Sequence, residues 1–466
     1  MKKAGLSASR RSFLRTTAAA WAGIQVVPLR VLGAPGTVSP SNSIRLGAVG
    51  IGGVGHSQIR HCVEAGFSVA ALCDVDTEYA GKTHAQYPDA RRYRDFREML
   101  DAEGDRIDAV YCGTPDHTHA VISLAALKKR KHVLTVKPLT RTIGEARVLA
   151  DAARAAGVMT QMTASSAATE TGCRTCEFLQ AGLIGDVAEV HIWSDRPIWP
   201  QGMVRPPGSV DVPKALDWDL WLGPAPKRPF VDRWPAEYVG VLGRGTRLAR
   251  PNVYHPFNFR GWHDFGTGAL GDMGCHHFNT PRRALKLGAP RAVSATSTRT
   301  MDETWPLGSI VTWDFPAREG LVPVRVTWYD GGLKPPRPSE LEPDRPLPTM
   351  GILYVGTKGT LLGDGTDSVP RLIPEGRMKA AVLPEKTLPR SKDLYQEWVA
   401  AIQGGPAPSE HWPDCGAPLT ELVLLGNAAL RVPGRRLEWD PAALRFANCP
   451  EATKLLTPDY QNGWTL

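Results

Sequence analysis

The stretch AVGIGGVGHSQ, residues 48–58, sets glycines at 50, 52 and 55 in a G-x-G-x-x-G spacing. It closes the apolar run IRLGAV and leads into GHSQIRHCVEAG, whose pattern is that of a helix ending at Gly66. A strand, a glycine turn and a helix in that order form the start of a dinucleotide-binding unit. The first glycine permits the tight turn, the second lets the backbone approach a pyrophosphate, and the third lets helix and strand pack closely. The helix N-terminus then supplies N–H donors and partial positive charge. Gly50, Ile51, Gly52, Gly53, Val54 and Gly55 are therefore candidate cofactor contacts. The second apolar run, SVAALCDVD, ends at Asp74, where a carboxylate can accept from ribose hydroxyls. A carboxylate there repels a 2′-phosphate, which favours NAD over NADP.

Outward from this turn, strand and helix patterns alternate: DFREMLDAEG, DAVYCGTP, HAVISLAALKKRK, HVLTVKP and TIGEARVLADAARAAG. Alternation at this spacing predicts parallel βαβ units with helices on both faces, over residues 44–163. Thr114 and Pro115 fall at the carboxyl edge of that sheet, over the cofactor crevice. His117 and His119 follow them, either as loop caps or as cofactor contacts, and His119 is carried forward as a contact. Lys137 stands where an apolar strand stops at a proline, as a surface cation or as one aimed into the cleft.

Beyond residue 163 the texture changes to longer alternating runs such as VAEVHIWSD, GSIVTWDFPA, VPVRVTWYDGG and GILYVGTKGTLLGDG. These predict a large, mostly antiparallel open sheet in a second α/β domain over 164–466. Between 196 and 262 lies a segment rich in Pro, Trp and Arg with little periodicity. The chain has 14 tryptophans, and aromatic faces bind sugars, so Trp199, Trp221 and Trp262 are candidate substrate contacts together with Arg260 and His263.

The leader carries Arg10 and Arg11 in SRRSFLRTTAAAWAGIQVV and six basic residues with no acid up to residue 34. This is the pattern of a twin-arginine export signal over 1–34, followed by a Pro/Ser linker over 35–43. It predicts a periplasmic or otherwise exported protein that meets the twin-arginine machinery. The run is too short and too interrupted for a stable membrane anchor. Of the formal net charge of +8, six units sit in this leader, so the body is close to neutral and nucleic-acid binding has no electrostatic support. The eight cysteines are scattered, and Cys173 and Cys176 form one C-x-x-C without the second pair of a zinc site.

The glycine turn, TPDHTHA, the Lys-Pro turn and GTGALGDMGCHHF together resemble the glucose–fructose oxidoreductase, inositol dehydrogenase and rhizopine-catabolism (Gfo/Idh/MocA) family. RPIWPQG, LDWDLWLGPAP and the ending YQNGWTL resemble its exported branch. The resemblance, over residues 44–466, implies a Rossmann domain, a second open-sheet domain, NAD(P) and a sugar or polyol substrate. It carries the catalytic role to Lys137, Asp272 and His276. On a helix Asp272 and His276 lie one turn apart on one face. His276, titrating near neutrality, is expected to be the base for a secondary hydroxyl, with Lys137 stabilising the alkoxide and Asp272 holding its neighbours. Where the family places a glutamate before the lysine this chain has Val136. His277 diverges from His276 by about 100°, so no metal is expected and His277 is left as a lateral substrate contact. Three readings follow: net oxidation of a sugar with tightly held, recycled NAD; redox-neutral glycoside cleavage through transient C3 oxidation; or sugar binding without catalysis. An open antiparallel sheet also suggests a homo-oligomer, a dimer or tetramer.

Overall fold

In the computed structural model of the chain, residues 43–165, 167–235, 252–365, 368–391 and 393–466 are described. The predicted export signal and all but the last residue of the linker lie outside them.

A six-stranded sheet comes first. Its strands are β1 (Ile44–Val49), β2 (Phe67–Cys73), β3 (Arg91–Tyr93), β4 (Ala109–Cys112), β5 (His132–Val136) and β6 (Thr160–Thr163). They lie in the order β3-β2-β1-β4-β5-β6, and the pairs β2–β3, β1–β4, β4–β5 and β5–β6 run parallel. This is the doubly wound order whose switch point, between β1 and β4, opens a crevice at the carboxyl ends of the strands. β4 is buried throughout, as expected of a central parallel strand with helices on both faces. Two of the helices between strands begin at a side-chain cap. Asp95 accepts from the Arg97 N–H at the start of Phe96–Glu103, and Thr142 with Glu145 forms a capping box for Ile143–Ala156.

The second sheet has nine strands. They are β7 (Val187–Trp193), β8 (Ala292–Ser297), β9 (Ser309–Phe315), β10 (Val324–Tyr329), β11 (Gly351–Gly356), β12 (Gly359–Gly363), β13 (Arg371–Ile373), β14 (Arg436–Asp440) and β15 (Arg445–Phe446). Their order is β13-β12-β11-β7-β10-β9-β8-β14-β15. β7 and β10 pair in parallel, and the other recorded pairs are antiparallel. The run GILYVGTKGTLLGDG, expected as one strand, is the hairpin β11–β12, turning at Thr357 and Lys358.

β9 alternates buried and half-buried residues along its whole length, so one face is covered. The cover includes the helix Ala417–Arg431, which packs on β8 and β9 and also on the helix Gly268–Ala284. Trp313 on β9 donates from Nε1 to the Leu422 carbonyl at 3.0 Å, fixing that helix on the sheet. The helix Gly268–Ala284, which carries Asp272 and His276, is held by this layer against the end of β5.

The Pro/Trp/Arg-rich segment makes a core of its own. Trp218, Trp221, Phe230, Tyr254, Trp262 and Phe265 are buried together. All eight cysteines are buried free thiols, Cys173 and Cys176 among them. No described helix is long and apolar enough to cross a membrane.

Candidate active site

The glycine turn is built as its spacing requires. Gly50 has φ +74°, and a Cβ there would lie 2.5 Å from the Thr114 N. A Cβ on Gly55 would come within 2.1 Å of the Gly50 carbonyl oxygen, so only glycine lets the helix Val54–Ala65 start so close to β1. That helix begins at Gly53 with no side-chain cap and no acid in its first turn, which leaves its N–H groups available to an anion. Tyr79 closes over the turn, since a Cβ on Gly52 or Gly53 would strike its ring or hydroxyl at 2.2 Å.

Asp74 stands at the end of β2. Its Oδ2 accepts from the N–H groups of Ile51 (2.9 Å) and Gly52 (3.2 Å), and its Oδ1 from Asp76 N–H (3.0 Å). Burial raises its pKa, while these bonds and the nearby His255 act against the rise. A carboxylate has about four lone-pair positions, so with three taken Asp74 can accept roughly one further hydroxyl. Its first job is to hold the turn.

A cleft of about 630 Å³ runs from this turn to the end of β5, within the size range of ligand pockets. Lys137 and His276 line one end. Lys137 leaves β5 at Pro138, which has no N–H to extend the ladder. His119 bridges the Pro138 carbonyl (2.9 Å) and the Thr114 carbonyl (2.8 Å), tying the Lys-Pro turn to the sheet edge. The Lys137 ammonium donates to the carbonyl and to Oδ1 (2.8 Å) of Asp272. Arg260 Nε donates to the same Oδ1 at 2.9 Å. Burial opposes ionisation of Asp272, but the charges of Lys137 and Arg260 prevail and hold its carboxyl well below the usual range. A second acid, Asp116, lines the same cleft and accepts from Thr267 Oγ1 at 2.7 Å; burial raises its pKa, while the Arg260 charge acts against the rise.

His276 differs from the expectation of a group titrating near neutrality. Its Nδ1 accepts from the Ser165 N–H at 2.9 Å, with Ser165 Oγ 3.0 Å away. In the neutral ring the proton therefore sits on Nε2. Burial, then the Lys137 charge, push its pKa down to about 3, against the pull of Asp272. At neutral pH the ring is a hydrogen-bond donor through Nε2, and the lone pair a base needs is already engaged.

His117 and His263 are also pushed down to about 3, by burial first. All three rings are neutral in the folded chain and protonate near the ordinary 6.5 when it unfolds. The unfolded state thus binds more protons between those values, so stability is full above about pH 6.5 and falls as pH is lowered toward 3, by roughly 1.4 kcal/mol per pH unit per ring at full slope. Urea unfolding at pH 7, 6 and 5 should show this decline, and His276→Gln should remove about one ring's share of it. An unchanged slope in the variant would show that His276 is not neutral in the fold.

Of the other residues expected from sequence, Gly50, Gly52, Gly53, Val54, Thr114, Pro115, Trp221 and Arg260 line the cleft. Ile51 and Gly55 lie behind it and shape the turn. Four expected substrate contacts are elsewhere. Trp199 is buried with Nε1 on Gln201 Oε1. Trp262 is buried in the aromatic core with Nε1 on the Val253 carbonyl. His263 lies against Trp305, and His277 contacts the Met273 carbonyl and Trp328. His119 also lies outside the cleft wall, and His117 is buried between the Phe265 and Trp221 carbonyls. Trp262 sits inside because the irregular segment needs large apolar side chains to make any core, whereas His277, His117 and His119 lie on the buried faces of helices.

The sequence reading missed Tyr79, His255, Phe96, Phe257, Phe259 and Trp464, all of which line the cleft. His255 reaches Asp76 Oδ2 at 3.0 Å. Phe257 and Phe259 each lie under the Arg260 guanidinium at 4.6 Å. No local motif marks them, because tertiary folding brings them to the cleft.

A family profile described as oxidoreductase family, NAD-binding Rossmann fold (Gfo/Idh/MocA) matches residues 44–164. Residues 44–164 are thus similar to the NAD-binding domain of that family. A "Glycosyl hydrolase family 109 protein" of Saccharopolyspora erythraea is 28% identical over 203 residues, 38% of this chain and 44% of that protein. An "Inositol 2-dehydrogenase" of Rubrobacter xylanophilus is 36% identical over 114 residues, 24% of this chain and 32% of that protein. The chain thus spans less than half the length of these curated relatives. Among solved structures, the WlbA dehydrogenase of Bordetella pertussis, in complex with NADH and UDP-GlcNAcA, aligns with TM-score 0.57 at 15% identity, covering 85% of this chain and 99% of that one. The aldose-aldose oxidoreductase of Caulobacter crescentus, complexed with glycerol, aligns at TM-score 0.54 and 18% identity, covering 85% and 100%. These likenesses show the fold, a parallel Rossmann-like sheet followed by a second, mostly antiparallel one.

The residues present fit the family's NAD. The uncapped helix N-terminus faces a pyrophosphate position, Asp74 keeps an acceptor for a ribose hydroxyl, and Val136, which lines the cleft, removes no partner that Lys137 lacks. Asp272 supplies the carboxylate that Val136 does not.

Proposed function

We propose that the protein is an exported NAD-dependent oxidoreductase acting on a secondary hydroxyl of a carbohydrate. The observation that carries this reading is the Lys137–Asp272–Arg260 cluster, together with His276, at the carboxyl edge of a glycine-turn domain. NAD supplies the hydride acceptor. Lys137 spends two of its three N–H donors on Asp272 and keeps one for the substrate oxygen. His276 donates to the same oxygen through Nε2, and these donors stabilise charge developing on it. With the His276 lone pair engaged and Asp272 firmly ionised, the hydroxyl proton falls to Lys137. As the neutral amine it keeps two N–H groups on Asp272 and takes the proton on its lone pair while the hydride goes to NAD. The ammonium so formed donates its third N–H to the product oxygen and returns the proton on re-reduction. The twin-arginine pattern supports export, and scarce free NAD outside the cytoplasm favours a cofactor that stays bound and is recycled within the turnover.

A second reading is favoured by the relatives named glycosyl hydrolases: transient oxidation at C3, elimination across C1–C2 and re-reduction, with no net redox change. The purified chain should release NAD on denaturation, seen by mass spectrometry, and should turn over members of a glycoside panel. A keto sugar as product supports the first reading and a cleaved glycoside the second. Bound glycoside with no product, or a chain that carries and binds no nucleotide, overturns both.

A further inference from the structure

The end of the cleft away from Lys137 is closed by the chain's own C-terminus. Trp464 lines it beside Asp74, Val75, Arg94, Asp95 and Phe96. Its ring lies 5.9 Å from that of Phe96 at an interplanar angle of 29°, and the Arg97 guanidinium is 4.6 Å from its centroid. The segment that delivers this ring is anchored at two places. Tyr460 OH donates to Glu145 Oε1 at 2.7 Å. Gln461 N–H donates to the Pro224 carbonyl at 3.0 Å, and Asn462 Nδ2 donates to the carbonyls of Gly223 (2.9 Å) and Ala225 (2.8 Å). The Trp464 N–H then donates to the Gln461 carbonyl at 3.0 Å, which turns the ring toward Phe96. An exposed tail without a role would need none of these contacts.

We propose that residues 460–466 form a cofactor-retaining strap, in which Trp464 and Phe96 make the apolar wall against which the adenine of NAD packs. The inference rests on the NAD reading above. Lys137 and His276 mark the end for the reacting ring and Asp74 the ribose next to the adenine, so the aromatic pair stands where the second base must lie. Packing of a base on an aromatic wall is sequence-tolerant and strong enough to govern release. It would also explain how a protein acting where NAD is scarce keeps its cofactor through repeated turnovers.

The test uses the full chain, its Trp464→Ala variant and its Trp464→Phe variant. Release of bound NAD after dilution should be about ten- to hundredfold faster for Trp464→Ala than for the parent, and within about threefold for Trp464→Phe. On protein exchanged free of nucleotide, the Kd for ADP-ribose should rise by a similar factor in Trp464→Ala while that for nicotinamide mononucleotide stays unchanged. Equal NAD release from parent and Trp464→Ala overturns the strap alone. Equal weakening of both half-cofactors also overturns it, because it reports general loosening. A parent that neither carries nor binds NAD overturns the oxidoreductase reading and the strap together.

Discussion

Lys137→Ala is expected to lower kcat/KM by three orders of magnitude or more while NAD stays bound. The magnitude combines loss of proton exchange, about 10²–10⁴-fold, with loss of a cation where alkoxide charge develops. The fold should tolerate the change, because Asp272 keeps its bond from Arg260 at 2.9 Å and is not left as an isolated buried charge. Steady-state kinetics on the best substrate of the panel, with nucleotide content measured on the same samples, checks this. A variant that keeps NAD and loses less than tenfold in rate removes Lys137 from the chemistry.

Asp272→Asn should act on both stability and rate. The shape is kept, but Lys137 and Arg260, both largely buried beside it, lose the carboxylate that neutralises them. Breaking a buried ion pair from one side costs about 3–5 kcal/mol, and here two cations share the loss. Chemical denaturation should show a stability decrease of that order, with activity falling at least a hundredfold at temperatures where the variant remains folded. Lys137→Ala combined with Asp272→Asn should recover part of the lost stability but none of the rate, because one stranded charge is then gone. Equal stability of parent and Asp272→Asn would mean that water solvates the cluster and that the carboxylate contributes little.

Much of the first domain was legible because its signals are local. A glycine turn between a strand and a helix needs particular residues within eleven positions, and Asp74 follows from where the second strand must stop. Lys137 with Asp272 and His276 was found through spacing on one helix and through the family resemblance. The roles within that trio were less legible. Which nitrogen of His276 carries the proton depends on Ser165, 111 residues away, and no sequence spacing encodes that. The tryptophans misled for a related reason. Trp199 and Trp262 stand in a segment without periodicity, and such a segment reads as a rim when its side chains are in fact its core. Nothing local in YQNGWTL marks the place of Trp464, because the ring it meets is Phe96, far away in the sequence.

β7, the first strand of the second sheet in the chain, ends up at its middle, between β10 and β11. Its partners are made more than a hundred residues later, so during synthesis this strand must wait with both edges unsatisfied. Late pairing across such distances is slow and exposed to misassembly. The order of manufacture thus leaves the edges of Val187–Trp193 open until Val324–Tyr329 and Gly351–Gly356 have been made.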